Sequence, residues 1–141
     1  MSVLIDTSVL SELRRARPEP RVRAAVEAIP DADLFISVLT IGEIVSGIER
    51  LAPGAKRSAL EAWVRGLAEM HAARILGVDL DVAKVWGDLT ARAARQGRVV
   101  PAVDGLIAAT ALRHDLAVMT RNVADFAATG CRVVDAWEGP A

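Results

Sequence analysis

The chain has 141 residues, 52% hydrophobic and 25% charged, with a formal net charge of −1. That balance excludes a disordered chain and a generally basic nucleic-acid binder, and it suffices for one domain with a real core. Cys131 is the only cysteine, which excludes an internal disulfide, and the longest uncharged stretch, Leu34 to Gly42, is nine residues where a membrane-spanning helix needs about 20.

Met1 to Asp6 reaches a carboxylate with no basic lead-in, so no secretory leader is expected, and the cytoplasm is the expected compartment. Val3-Leu4-Ile5 reads as a short buried strand. Val9 to Arg15 reads as a helix that stops before Pro18, and Pro20 to Ala28 as a second, with Val22, Ala25, Val26 and Ile29 on one face. Asp31-Ala32-Asp33 is a turn, Leu34-Phe35-Ile36 the second strand, and a helix follows through Arg50 until Pro53-Gly54 breaks it. Lys56 to Met70 carries Leu60, Trp63, Val64, Leu67 and Met70 at helical spacing. Ile75 to Val78 is the third strand, and Leu80 to Gln96 a long helix ended by Gly97. Gly105 to His114 is helical, Leu116 to Thr120 the fourth strand and Cys131 to Val134 the fifth. Short apolar strands alternating with helices predict an α/β fold with a mainly parallel sheet, whose ligand site lies beyond the carboxyl ends of the strands.

Four acids fall where such a site would be. Asp6 follows the first strand, Glu43 lies seven residues past Ile36, Asp104 opens a helix, and Asp125 follows the fourth strand. Gathered together they repel one another, and a hard divalent cation, Mg²⁺ or Mn²⁺, relieves that repulsion through oxygen ligands. The matching chemistry is metal-assisted phosphodiester hydrolysis. Without the metal the site is expected to be strained, and Asp6→Asn to relieve part of that repulsion. Each acid also has a plainer reading. Asp6 would satisfy a strand-to-helix turn, Glu43 would close a capping box on Thr40, Asp104 would cap the helix from Gly105, and Asp125 would be a surface acid.

The cations are uneven: Arg14, Arg15, Arg17, Arg21 and Arg23 fall within ten residues, in a chain with fifteen Arg and two Lys. They read either as phosphate contacts or as solvated helix faces. His71 and His114 sit near helix ends, where solvation or dipole compensation accounts for them. No zinc motif, nucleophile elbow or glycine-rich phosphate loop is present. Trp63, Trp86 and Trp137 read as core or interface residues, and with no Tyr and two Phe, base-stacking platforms are sparse.

Four motifs carry a family resemblance: Leu4-Ile5-Asp6-Thr7-Ser8-Val9, Ile36 to Ile44, Asp104-Gly105-Leu106-Ile107-Ala108-Ala109-Thr110-Ala111, and Thr120-Arg121-Asn122-Val123-Ala124-Asp125-Phe126. In this order the chain resembles the PIN-domain ribonucleases, specifically the VapC-type toxins of bacterial toxin–antitoxin pairs, including the FitB-like branch. The resemblance implies a single PIN domain over 1–141, a PIN-like three-layer α/β/α sandwich with a five-stranded parallel sheet. It implies Mg²⁺-dependent endonucleolytic cleavage of RNA by water, leaving 5′-phosphate and 3′-hydroxyl ends. Asp6, Glu43 and Asp104 match the family's metal-binding acids. Many relatives carry the fourth acid where this chain has Asn122, with Asp125 three residues later as the substitute. Thr7, Ser8, Thr120 and Arg121 match polar positions around the site, and Arg121 would clamp a phosphate or pair with Asp125. Relatives form homodimers, are inhibited by a small VapB-like antitoxin, and meet promoter DNA through that antitoxin. A PIN nuclease of RNA maturation and a catalytically inactive PIN interaction module are the alternatives. A phosphatase using Asp6 as nucleophile would want an acid where Ser8 stands.

Overall fold

Val3, Leu4 and Ile5 are all buried, and they alternate between two separate apolar clusters. Successive side chains of a strand point to opposite faces, so β1 (Val3–Ile5) has a packed layer on each side. The computed structural model describes residues 1–138. It places β1 in a parallel sheet with β2 (Leu34–Ser37), β3 (Ile75–Leu76), β4 (Ala117–Met119) and β5 (Val133–Val134), in the order β3-β2-β1-β4-β5. Leu4 pairs with Phe35 on one side and Val118 on the other, so β1 is central.

One face is covered by α1 (Thr7–Arg14), α2 (Pro20–Glu27), α3 (Val38–Glu49) and α4 (Ala55–Met70), through Val9, Val22, Ile44, Ile48 and Val64. The other is covered by α5 (Leu80–Arg95), α6 (Ala102–Arg113) and the short α7 (Val123–Phe126), through Val82, Leu89, Ile107, Ala108 and Phe126. This is the expected three-layer α/β/α sandwich. Local chemistry sets the helix starts. The Ser37 hydroxyl accepts the Leu39 N–H at 3.0 Å, Asp79 accepts the Val82 N–H at 2.8 Å, and Pro20 opens α2. Gly97 supplies a φ of +71° just after α5 ends.

The chain steps outward from β1 to β2 to β3, then crosses back to β4 and β5. The order reverses between β1 and β4, and crevices of α/β sheets open at such a reversal, beyond the carboxyl ends. Asp6 leaves β1 and Thr120 leaves β4 at that edge.

Several boundaries differ from expectation. α1 begins at Thr7 rather than Val9, directly off the strand, and α6 begins at Ala102 because Pro101 stands just before its first turn. β3 and β5 are two residues each, shortened by their place at the sheet edges. His71 ends α4 half-buried; burial first, then the nearby Arg74 charge, lower its pKa, against a smaller opposing pull from Asp31. The shift favours the neutral imidazole and weakens dipole compensation as an account of His71.

One acid that the sequence does not single out is structural. Glu12 is 6% exposed and accepts the Glu19 N–H at 3.3 Å and the Arg15 guanidinium at 3.2 Å, tying the end of α1 to the start of α2. Glu12→Ala strands that N–H and should cost about 1–2 kcal/mol in urea unfolding, with Glu12→Gln costing less. Unfolding of Glu12→Ala at the wild-type midpoint would count against this role.

Candidate functional site

Asp6 sits at the junction of β1 and α1, and its backbone carbonyl accepts the Val9 and Leu10 N–H groups. Its carboxylate caps nothing. Oδ2 instead accepts the Thr120 hydroxyl at 2.8 Å and the Ser8 hydroxyl at 3.2 Å, and the side chain is buried. The plain turn reading therefore fails for Asp6. Each hydroxyl has one proton, and both are given to Asp6. Their oxygens in turn accept backbone N–H groups, Asn122 on Thr120 at 3.0 Å and Arg121 on Ser8 at 3.1 Å. These five groups lock the end of β4 to the start of α1.

Glu43 is the sixth residue of α3, and the helix is capped by Ser37. Thr40 lies inside that helix, buried, with no hydrogen-bond partner for its hydroxyl among the described residues. The capping box on Thr40 is thus overturned: the apolar run of β2 passes into the helix at Ser37, one turn earlier. Glu43 Oε1 instead accepts the Thr7 hydroxyl at 2.9 Å, across from α3 to α1. Asp104 is the third residue of α6 and not its cap. A Cβ on Gly105 would lie 3.1 Å from Trp86 Nε1 and from Val100 Cγ1, so glycine there lets the first turn of α6 close onto α5. Asp125 is in the first turn of α7, exposed, and Asn122 precedes that helix.

The electrostatics gather these acids. Burial first, and then the charges of Asp125, Asp6 and Glu43, raise the Asp104 pKa above its ordinary value. Among the described residues, none of the four pairs with Lys or Arg. Four carboxylates with the Ser8, Thr7 and Thr120 hydroxyls nearby make an all-oxygen donor set, which suits a hard divalent cation. Yet among the described residues no group of three or more His, Cys, Asp or Glu is arranged to hold a metal ion. Carboxylates feel one another well beyond the length of a coordination bond, so a shared field does not require a ready-made shell. Grooves of about 560 Å³ beside Arg121, Asn122 and Asp125 and about 480 Å³ beside Glu43 and Val103 flank the acids.

The raised Asp104 pKa has a consequence for stability. The folded chain holds the Asp104 proton more tightly than the unfolded chain, so this contribution is present below the unfolded pKa and is lost as pH rises through the folded one. In chelator, Asp104→Asn should gain melting temperature over wild type as pH rises from about 4 to about 7. A gap that stays constant over that range would contradict the shift. Asp6→Asn removes one of the charges that raise the Asp104 pKa but exchanges two charge-assisted hydrogen bonds for neutral ones, so it should relieve less of the repulsion than Asp104→Asn does.

Of the clustered arginines, Arg15 pairs with Glu12 and Arg23 with Glu27, which makes them structural. Arg14 lies over Trp63 at 5.6 Å, and Arg121 over Trp137 at 5.2 Å. Arg121 does not pair with Asp125. Trp63 and Trp137 pack on one apolar cluster and Trp86 on the other. Their role as arginine platforms carries no local signal, since Arg121 and Trp137 meet only through the fold.

Residues 3–130 match the PIN domain family. The chain is 34% identical to VapC ribonuclease Y4jK of Sinorhizobium fredii, over 96% of this chain and 98% of that protein. It is 35% identical to toxin FitB of Neisseria gonorrhoeae over 96% and 98%. The crystal structure of FitAcB from Neisseria gonorrhoeae superposes with a TM-score of 0.91 at 34% identity, covering 96% of this chain and 99% of that one.

Proposed function

Because the chain belongs to the PIN-domain family, we propose that it is the toxin of a bacterial toxin–antitoxin pair and acts as a Mg²⁺-dependent endoribonuclease. The observation that carries this reading is Asp104, whose pKa is raised by burial and by the charges of Asp125, Asp6 and Glu43, with no cation paired to any of them among the described residues. Asp6, Glu43, Asp104 and Asp125 would hold Mg²⁺, or Mn²⁺ in its place. A divalent cation held there would supply an acidified water and would stabilise charge developing on a scissile phosphate. The chain's own contribution is placement. Thr120 and Ser8 fix the Asp6 carboxylate, and Thr7 steers Glu43. Asn122 would orient a water or a phosphate oxygen.

The test is cleavage of RNA by the purified protein with Mg²⁺ and with chelator. Cleavage only with metal supports the reading. No cleavage under either condition favours an inactive PIN interaction module, for which the absence of a ready-made metal shell is the supporting observation. A neighbouring reading frame for a small DNA-binding antitoxin separates a toxin from a nuclease of RNA maturation. Promoter DNA would be met through that antitoxin, since this chain carries a net charge of −1. No helix among the described residues is long and apolar enough to cross a membrane, in keeping with a cytoplasmic site of action.

A homodimer belongs to the same proposal. Val38 and Val45 on α3 and Met70 at the end of α4 are exposed large apolar side chains that pairing with a second copy would cover. Sedimentation at micromolar concentration should give twice the 15.0 kDa chain mass. A species of single-chain mass alone would contradict it.

A further inference from the structure

We propose that Arg121, laid on the Trp137 ring, is the guanidinium that holds an RNA phosphate beside the carboxylates, with Trp137 as its positioning residue; this rests on the ribonuclease reading above. Arg121 directly follows Thr120, whose hydroxyl donates to Asp6, and its own N–H donates to Ser8 Oγ at 3.1 Å. Its backbone is therefore fixed to the same lattice that fixes the central acid. Its side chain is exposed and lies 5.2 Å over the Trp137 ring. Asp125, Asp135 and Glu138 line the same groove, yet among the described residues Arg121 pairs with no carboxylate. Stacking on an aromatic face leaves the edge N–H groups of a guanidinium free for the oxygens of a phosphate.

Trp137 is held for this task from three sides. Its body packs on the core, its backbone N–H donates to Asp135 Oδ1 at 2.9 Å, and its backbone carbonyl accepts the Arg21 guanidinium at 3.4 Å. An anionic backbone approaching four carboxylates meets repulsion, and a cation at the rim offsets it. A stacked arginine has already given up part of its rotamer freedom, so less is lost when phosphate binds.

The test is binding of a short fluorescein-labelled single-stranded RNA, in chelator to prevent cleavage, by the full chain and its variants. Arg121→Gln should raise Kd about tenfold and lower the slope of log Kd against log salt by about 0.7, one phosphate contact on a single strand. Trp137→Leu should raise Kd by a smaller factor with the salt slope unchanged, and Trp137→Phe should restore most of the affinity. In Arg121→Gln, adding Trp137→Leu should cost nothing further, because the ring acts through the guanidinium. Arg121 is exposed, so its variant carries the test even if Trp137→Leu does not fold. Wild-type affinity and slope in Arg121→Gln, or full additivity of the two substitutions, overturns the assignment. If wild type cleaves RNA while Arg121→Gln binds it unchanged, this inference alone fails. If wild type neither binds nor cleaves RNA, the ribonuclease reading fails and takes the inference with it.

Discussion

Asp6→Asn and Asp104→Asn should each lower Mg²⁺-dependent RNA cleavage by roughly 10²-fold or more, since losing even an outer-shell partner of a metal ligand costs about 10- to 100-fold. The two act from different elements. Asp6 leaves the central strand and is held by two hydroxyl donors, whereas Asp104 rides on the first turn of α6 and is held by the packing of Gly105 on Trp86. Both substitutions keep side-chain shape, so far-ultraviolet circular dichroism should match wild type. Their stabilities in chelator should part, with Asp104→Asn gaining more at neutral pH than Asp6→Asn. Wild-type cleavage by either variant would remove that residue from the site. Glu43→Gln should fall in the same class, because its carboxylate is tied to Thr7 and serves no cap.

Asp125→Ala should slow cleavage by about 10- to 100-fold and weaken Mg²⁺ binding, while Asn122→Ala does less. Asp125 is the first of the neighbouring charges that raise the Asp104 pKa, which supports the proposal that it is the fourth acid. Asn122 lines the same groove and gives its N–H to Thr120 at 3.0 Å, a position suited to a neutral oxygen that orients a ligand. The Asp104 pKa, followed by carboxyl NMR, should fall in Asp125→Ala and stay in Asn122→Ala. If Asn122→Asp tightens Mg²⁺ binding while Asp125→Ala is silent, the assignment reverses. If all three behave as wild type, Asp6, Glu43 and Asp104 suffice and the segment is structural.

The sequence by itself determined the layered architecture. Val3, Leu4 and Ile5 are too apolar for an exposed strand and too few for a helix, and the same holds at Leu34, Ala117 and Val133. Each is followed or preceded by an amphipathic stretch that needs a sheet to cover. The motif acids were legible for a related reason: a carboxylate at the end of an apolar run has no local partner, so a partner from elsewhere is implied. What each acid does was decided by tertiary structure. Thr40-Ile41-Gly42-Glu43 has the spacing of a capping box, but the helix starts at Ser37, and Glu43 faces Thr7, 36 residues away. Glu12 looks like any helix-surface acid, and only the return of the chain at Glu19 buries it. Asp6 meets Thr120 across 114 residues because the strand order reverses between β1 and β4, a choice no local pattern encodes. The stacking of Arg121 on Trp137 depends on the same crossing. Periodicity along a chain reports which side chains are buried; which of them meet is set by the order in which strands add to the sheet.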